Sequence, residues 1–318
     1  MADDQPGFPD HPPPLAAFNG AKPEAPDWFK TAIAHEPERG FVTVKGAQIE
    51  LLTWGEIGKP GLLLVHGNTA HADWWSFVAP ILAQDYRVAA ISMSGMGASD
   101  WRETYDFATY AEEAYAGARA AGLYEGGQKP IYVGHSFGGA NVFYSATRHP
   151  ERMRAAILVD TGFGGPPPAE EGFKAPATRS RPNRVYPSLA EALARFRLMP
   201  PQGCANTYIA DFIARRSLKP APLESGGEGW TWRFDPLLWN KLDREALNSL
   251  TAPDAPWAPI VHIYGENSAI IHRLSAEAER RVPDHLPSLI IPDSEHHIMI
   301  DQPLALIAAV RGLLLSWP

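Results

Sequence analysis

The sequence predicts an α/β fold in which a mostly parallel β-sheet carries helices on both faces. From Phe41 onward, short apolar runs alternate with longer helix-compatible stretches, which is the pattern of strands joined by helical crossovers. The runs 61–65 and 155–159 are continuously apolar, as expected of strands that are covered on both faces. Polar residues and glycines collect just after several of these runs, at the sheet edge where such folds bind ligands.

The first predicted element is a hairpin formed by 41–44 and 49–54, which turn through Gly46. The alternation that follows predicts, in order, a strand 61–65, a helix 74–82, a strand 86–91, a helix 107–121, a strand 131–133, a helix 140–149, a strand 155–159, a strand 260–264, a helix 270–281, a strand 286–291 and a helix 303–315.

One long stretch interrupts this alternation between the sixth and seventh strands. It opens with two glycines and three prolines at 164–168, a composition typical of linkers. Ser188 and Glu191 form a capping box that predicts the start of one helix, and a second helix is expected over 205–218. We interpret the stretch as a helical cap over 162–256, so that the core comprises 27–161 and 257–318.

The N-terminal residues 1–26 are rich in proline and show little periodicity, which predicts an irregular arm. The acidic start of this arm is unlike a secretory signal, and no apolar run approaches the ~20 residues that span a bilayer. We therefore expect a cytoplasmic protein that makes no use of a membrane.

Charge and cysteine content exclude several classes of partner and site. The 318 residues carry 28 Lys and Arg against 36 Asp and Glu, a net charge of −8, which argues against a nucleic-acid partner because phosphates call for basic surface. Cys204 is the only cysteine, so neither an intrachain disulfide nor a cysteine metal site can form. The sequence leaves the oligomeric state open, a homodimer included.

The pentapeptide Gly134-His135-Ser136-Phe137-Gly138 lies between an apolar run and a helix-compatible run. A serine at the apex of such a strand–turn–helix unit presents its hydroxyl outward. The glycines two residues before and after it are needed because side chains at those positions would collide. An ordinary glycine-rich turn would look the same, so the neighbouring motifs decide between the two interpretations.

Three further motifs accompany this turn in a fixed order: His66-Gly67-Asn68, Gly95-Met96-Gly97-Ala98-Ser99, and the run from His296 to Pro303. Together they make the chain from about Phe41 onward resemble the α/β-hydrolases, in the capped subgroup of epoxide hydrolases, haloalkane dehalogenases and many esterases. The resemblance implies an eight-stranded sheet and a reaction without a cofactor. No residue spacing indicates a metal or a dinucleotide site.

The resemblance implies that Ser136 is the nucleophile and that His296 is the base that takes its proton. Capped epoxide hydrolases and dehalogenases attack with a carboxylate at this turn, so the serine points to acyl transfer instead. The adjacent His297 is expected to be a packing residue. Glu295 stands where the family usually has a glycine.

The third member of the implied triad is an acid that orients the histidine, and the sequence leaves its identity open. Most family members place it after the seventh strand, where this chain has Ser268 and Ala269. A subset takes it from the end of the sixth strand, which here is Asp160. We favour Asp160, with Glu266 as the alternative, and an aspartate that merely caps the linker is also compatible with the pattern.

In the family, two backbone N–H groups stabilise the developing oxyanion, and the matching residues are Asn68 and Phe137. Aromatic residues beside these positions and in the cap are candidate walls of a substrate pocket, although packing roles would give the same pattern: Trp74, Trp75, Trp230 and Trp232.

These features predict a serine hydrolase that cleaves a carboxylic ester or lactone through an acyl-enzyme. Its partner would be a small-molecule substrate with a hydrophobic portion. One alternative is a hydrolase of an activated carbon–carbon bond, since the same triad supports that reaction in relatives. Another is a non-catalytic ligand-binding member of the fold, which the missing acid after the seventh strand would allow.

Overall fold

The structure is a computed structural model that describes residues 11–162, 182–243, 250, 256–271 and 286–317. Ten strands lie in this part of the chain: β1 Glu38–Val44, β2 Ala47–Trp54, β3 Gly61–Val65, β4 Arg87–Ile91, β5 Ile131–His135, β6 Ala155–Val159, β7 Leu218–Pro222, β8 Glu228–Trp232, β9 Ile260–Gly265 and β10 Ser288–Ile291.

Eight of the strands form one sheet in the order β1-β2-β4-β3-β5-β6-β9-β10. The pairs β1–β2 and β2–β4 are antiparallel and the others are parallel, which confirms the predicted fold class. Val65 pairs with Gly134, and His135 pairs with Val159. The loops that follow β3, β5 and β6 therefore leave the sheet at one edge.

The described helices are α1 Asp27–Ala34, α2 Ala79–Leu82, α3 Phe107–Ala120, α4 Phe137–Arg148, α5 Leu189–Leu193, α6 Thr207–Arg216, α7 Leu238–Lys241, α8 Ile298–Asp301 and α9 Pro303–Ser316. Helices α3 and α9 match their predicted ranges closely. Helix α1 lies where none was predicted, and most of the helix predicted over 270–281 lies outside the described residues. Within the described part of the chain, none of these helices combines the length and apolarity that a bilayer span requires.

The strands alternate their side chains between two apolar clusters, one on each face of the sheet. In β3, Leu62 and Leu64 point into one cluster while Leu63 and Val65 point into the other, the period-2 pattern of a strand buried on both faces. Helices α3 and α4 cover the second cluster, and α2, α9 and the α5–α6 pair of the insertion cover the first. The insertion is therefore packed into the same apolar cluster as the core.

The inserted segment contains a pair of strands as well as the helices that were predicted for the cap. Strands β7 and β8 pair as an antiparallel hairpin. Pro220 and Pro222 lack the N–H groups that would continue α6, so the predicted helix over 205–218 ends at Arg216. Ser188 caps α5 by accepting a hydrogen bond from the N–H of Glu191 (3.2 Å), but α5 is only five residues long.

The described part of the N-terminal arm, residues 11–26, is packed against the insertion. It contains a 3₁₀-helical turn at Ala16–Phe18, and Leu15 is buried in the first apolar cluster. The Arg215 guanidinium donates to the carbonyl of Gly20 (2.7 Å). Burial of one leucine thus orders a segment whose composition predicts irregular structure.

We expect Gly134→Ala to lower the free energy of unfolding by about 1–3 kcal/mol, the usual effect of overpacking. An ideal Cβ on Gly134 would lie 2.4 Å from the carbonyl oxygen of Gly138. Urea denaturation measures the change. Gly312 in α9 is the matched control because a Cβ there meets no atom within 4 Å, so Gly312→Ala should stabilise the protein by about 0.5–1 kcal/mol. Equal effects of the two substitutions would contradict this account of the turn.

Candidate active site

The turn at Ser136 holds the serine in a conformation that only tight local packing can maintain. Its φ is 51° and its ψ −119°, a region that L-residues with a side chain rarely occupy. The N–H of Ser136 donates to the carbonyl of Val159 (2.9 Å). A Cβ on Gly138 would lie 2.2 Å from the carbonyl oxygen of His66, so the glycine permits close contact with the neighbouring loop. The hydroxyl of Ser136, which is partly exposed, is thereby presented above the sheet edge.

Three predicted residues come together at this edge in a hydrogen-bonded chain. His296 Nε2 lies 3.0 Å from Ser136 Oγ, and His296 Nδ1 lies 2.7 Å from Asp160 Oδ1. Because a carboxylate only accepts hydrogen bonds, the ring proton belongs on Nδ1 and Nε2 is free to accept from the serine hydroxyl. Asp160 and His296 are buried, whereas the serine is the member open to a substrate.

Asp160 is held by donors from the loop after β9. Ser268 Oγ donates to Asp160 Oδ1 (2.6 Å), and the N–H of Gly265 donates to Asp160 Oδ2 (2.8 Å). Together with His296 Nδ1, these groups give the buried carboxylate three hydrogen-bond donors, which is what a buried charge requires. Ser268 occupies a position where the family usually has its aspartate, and here it supports the acid of the sixth strand.

Glu266, the alternative acid, faces a different group. Its side chain is exposed, and Glu266 Oε2 accepts a hydrogen bond from the N–H of Asp293 (3.1 Å). The structure therefore places Asp160 against His296. Glu266 lies on the exposed side of the loops that follow β9 and β10.

The loop after β3 lies directly beside the serine. A Cβ on Gly67 would stand 2.9 Å from His135 Nδ1 and 3.4 Å from Ser136 Cβ. Thr69 has a positive φ of 55°, which marks a tight turn in this loop. Among the described residues, no group accepts a hydrogen bond from the N–H of Asn68 or of Phe137. Both predicted oxyanion donors are thus unsatisfied backbone amides next to the nucleophile candidate.

His66 supports this loop from below. Burial lowers its pKa to about 3, so the imidazole is neutral. His66 Nδ1 donates to the carbonyl of Gly67 (2.7 Å), and His66 Nε2 accepts from the N–H of Met93 (3.0 Å). Both ring nitrogens are occupied by backbone groups, which is a structural role.

Three histidine rings pack together around the site, and only one of them has a carboxylate partner. Burial lowers the pKa values of His135 and His297 well below the usual value, and the charge that His296 can carry lowers them further. The ring of His297 lies 5.5 Å from that of Trp74. His135 and His297 are therefore neutral packing residues at neutral pH, which leaves His296 as the candidate base.

Trp74 and Trp75 are both buried beside the loop after β3. Trp74 packs against the histidine next to the base candidate, which suits a wall of the site, while Trp75 lies deeper in the first apolar cluster. Neither indole N–H has a hydrogen-bond partner among the described residues.

The tryptophans of the insertion divide between packing and the site. Trp232 packs against Phe196 and Tyr186 at ring distances of 6.2 and 6.4 Å, and the backbone of Trp230 pairs with that of Tyr186. In contrast, the ring of Trp239 lies 5.7 Å from that of Phe137. Trp239 is thus a candidate wall that the predicted set omitted, since sequence spacing alone did not distinguish it from its neighbours.

The fold and this arrangement of serine, histidine and buried carboxylate define a hydrolase-type site. A family model described as the alpha/beta hydrolase family matches residues 62–310. The chain belongs to this family, and the resemblance drawn from its motifs is confirmed.

The sequence identity to individual proteins is modest. The esterase Rv0045c of Mycobacterium tuberculosis is 25% identical over 281 residues, covering 85% of this chain and 88% of the relative. The bifunctional epoxide hydrolase 2 of Mus musculus is 32% identical over 167 residues, covering 50% of this chain but 29% of that protein. The crystal structure of E-2-(acetamidomethylene)succinate hydrolase superposes with a TM-score of 0.64 at 19% identity over 88% of this chain and 100% of its own, a likeness of fold alone.

We expect the free energy of unfolding to fall as the pH drops below about 6.5. The unfolded chain binds protons there, whereas burial lowers the pKa of His66 to about 3 and that of His262 to about 4 in the folded state. Asp301 and Glu113 act in the opposite sense because burial raises the pKa of both carboxyls, that of Asp301 to about 6. They are outnumbered by the buried histidines whose pKa values burial lowers.

Urea denaturation at about pH 5 and about pH 7.5 measures this dependence. His262→Gln should make the pH dependence shallower, since it removes one proton that the unfolded state takes up alone. His35→Gln, at an exposed histidine, should leave it unchanged. A steeper or unaltered dependence in His262→Gln would show that the buried histidines do not govern acid stability.

Proposed function

We propose that this protein is a cofactor-independent serine hydrolase that cleaves a carboxylic ester or lactone with an apolar portion through an acyl-enzyme. The observation that carries the proposal is the continuous hydrogen-bonded chain from Ser136 Oγ through His296 to Asp160, with distances of 3.0 and 2.7 Å. The esterase relative from Mycobacterium tuberculosis supports a carboxylic ester hydrolase.

Each part of the site has a role in this reaction. Ser136 Oγ attacks the carbonyl carbon while His296 Nε2 takes the hydroxyl proton, and Asp160 stabilises the imidazolium that forms. The amides of Asn68 and Phe137 stabilise the oxyanion of the tetrahedral intermediate. His296 then gives its proton to the leaving alcohol. Water attacks the acyl-enzyme by the same proton transfers in reverse and frees Ser136.

The identity of the residue at the turn favours acyl transfer over epoxide opening. The mouse epoxide hydrolase relative shares the frame of the fold, but the resemblance assigns a carboxylate nucleophile to epoxide hydrolases, and this chain has a serine there. A serine alkoxide that opened an epoxide would form a stable ether that the site could not hydrolyse, whereas an acyl-serine ester is open to attack by water.

The apolar preference rests on the aromatic rings around the serine. Phe137 packs against Phe107 and Trp239 at ring distances of 5.3 and 5.7 Å, and Trp74 flanks the histidine pair. Such walls bind apolar groups through burial of surface, and a few polar groups fix the reactive carbonyl.

The direct test is covalent labelling of the purified protein with a fluorophosphonate probe, together with turnover of p-nitrophenyl esters of increasing acyl length. We expect wild-type protein to be labelled at Ser136 and Ser136→Ala to lose labelling and about 10⁶-fold in kcat. Undiminished ester hydrolysis by Ser136→Ala would refute the mechanism. A vinylogous diketone serves as the comparison substrate, and its faster turnover would favour carbon–carbon bond hydrolysis.

The non-catalytic alternative arose from the missing acid after the seventh core strand. The contact between Asp160 and His296 supplies a carboxylate from the sixth strand instead, and this supports a catalytic protein. If the probe failed to label the wild-type protein, this would favour the non-catalytic, ligand-binding alternative.

We expect Asp160→Asn to lower kcat by about 10⁴-fold, as in serine proteases, because the amide favours the wrong histidine tautomer. Glu266→Gln is the matched control, since it makes the same chemical change in the neighbouring loop and should alter kcat by less than about twofold. Steady-state ester hydrolysis measures both. A large loss in Glu266→Gln with little loss in Asp160→Asn would reverse the assignment of the acid.

A further inference from the structure

The loop that carries His296 is bonded to the insertion by the buried amide side chain of Gln202, on both sides of the histidine. Gln202 Nε2 donates to Asp301 Oδ1 and Oδ2 (both 2.9 Å), and Gln202 Oε1 accepts from the N–H of His297 (2.8 Å). Gln202 is 5% exposed. Both the NH₂ group and the oxygen of this amide therefore bond to the segment around His296.

Asp301 completes the contact on the other side of the histidine. Asp301 Oδ2 also accepts from the N–H of Glu295 (2.8 Å). The backbone amide before His296 is thus bonded to Asp301, and the amide after it is bonded to Gln202, while the two side chains are bonded to each other. This closed set of hydrogen bonds fixes the peptide group that follows His296 and the N–H of the residue that precedes it.

Neighbouring contacts join the same two segments. Asn206 Nδ2 donates to the carbonyl of Ile300 (2.8 Å), and the N–H of Gly203 donates to Glu295 Oε1 (3.2 Å). Glu295, which replaces the usual glycine, therefore binds the insertion rather than the reacting groups. These contacts hold the two segments together, but only the Gln202–Asp301 pair bonds both amides beside the histidine.

We propose that the Gln202–Asp301 pair positions His296 for catalysis, so that the docked insertion completes the geometry of the triad. The inference rests on the proposed function, because it assigns a purpose to the placement of the base. An imidazole must meet Ser136 and Asp160 at the same time, and a displacement of about 1 Å can lower a rate by about 10²-fold. Movement of the backbone at Glu295 or at His297 would move the ring off one partner.

The ionisation of Asp301 suits this role at neutral pH. Burial, together with the carboxylates of Glu295 and Asp160, raises its pKa to about 6, against hydrogen bonds from the Glu295 amide and Gln202 that lower it. Cys204 also faces the group, and burial raises the pKa of its thiol to about 12. Above about pH 6, therefore, Asp301 is a carboxylate that only accepts hydrogen bonds, matched to the Gln202 NH₂ group and the Glu295 N–H.

An isosteric exchange of the two side chains tests the pair. Gln202→Glu sets two carboxylates against each other, and Asp301→Asn sets two NH₂ groups against each other or one against the Glu295 N–H. The double variant restores the link, because the amide at 301 donates to the carboxylate at 202 and accepts from the Glu295 N–H, while that carboxylate still accepts from the His297 N–H. Only the second contact of Gln202 Nε2, to Asp301 Oδ2, has no counterpart. Its net charge equals that of the wild type.

We expect each single variant to lower kcat for a p-nitrophenyl ester at about pH 8 by about 10- to 100-fold with little change in KM. The double variant should return to within about threefold of the wild type. Asn183→Asp is the matched control, because Asn183 Nδ2 donates to the carbonyls of Trp232 and Phe234 within the insertion and does not touch the loop. Its kcat should stay within about twofold of wild type.

Wild-type kcat in both single variants, or a double variant no better than the worse single one, would overturn the proposal. Melting temperatures measured alongside separate lost stability from lost positioning. If a single variant does not fold, Gln202→Ala replaces it, since that change removes both contacts without adding a charge.

A second readout separates this inference from the proposed function. The proton shared by His296 Nδ1 and Asp160 gives a downfield NMR resonance whether or not the protein turns over an ester. We expect the single variants to shift or broaden it and the double variant to restore it. An unlabelled, inactive wild type would defeat the proposed function alone, while an unchanged resonance in both single variants would defeat the positioning role.

Discussion

The hydrogen bond between His296 Nδ1 and Asp160 Oδ1 (2.7 Å) links two loops that are 136 residues apart in the chain. It exists only because β6 and β10 end at the same edge of the sheet, with β9 between them. The same edge carries the turn at Ser136, since β5 lies next to β6. The parallel register of these strands thus brings distant segments of the chain together. Short loops are then enough to place the side chains of the site against one another. Cooperative folding of the sheet is for this reason the precondition for any reactivity of the serine.

Burial governs the electrostatics around this bond. His66, His135 and His297 are neutral because their surroundings disfavour a charged ring. His296 differs in having a buried carboxylate beside it, and that carboxylate is itself satisfied by Ser268 and Gly265. The charge that develops on the base during the reaction therefore meets a prepared counter-charge, and no competing positive charge stands next to it.

The sequence was sufficient for the fold class and for two members of the hydrogen-bonded chain, Ser136 and His296. Apolar runs report strands that are buried on both faces, and the glycines around Ser136 report steric limits that few other residues meet. The choice between Asp160 and Glu266 stayed open because both follow strands that end at the same edge, and their distance from His296 depends on loop conformation. The sequence favoured Asp160 only because Ser268 and Ala269 leave the usual position of the acid empty.

The insertion was harder to predict for a related reason. Its short elements are stabilised by contacts with distant segments rather than by local periodicity: α5 packs into a cluster that also holds Leu15 and Phe29. Strand β8 alternates aromatic and polar residues, but its partner β7 contains two prolines, a composition that is equally typical of a loop. The side-chain bonds of Gln202 that the described residues show go to Asp301 and His297, nearly a hundred positions later.

The sequence separation between Gln202 and its partners shows that this side chain joins the insertion to the core. A cap that only covered a pocket would be expected to contact the core through apolar surface, which tolerates small shifts. Here the buried amide of Gln202 and the half-buried carboxylate of Asp301 make directional bonds to the N–H groups of the residues on each side of the candidate base. A polar network of this kind is stabilising only when every member is bonded, so a displaced insertion would leave buried groups unsatisfied. The structure thereby couples the seating of the insertion to the geometry of the histidine through the cost of unmade hydrogen bonds.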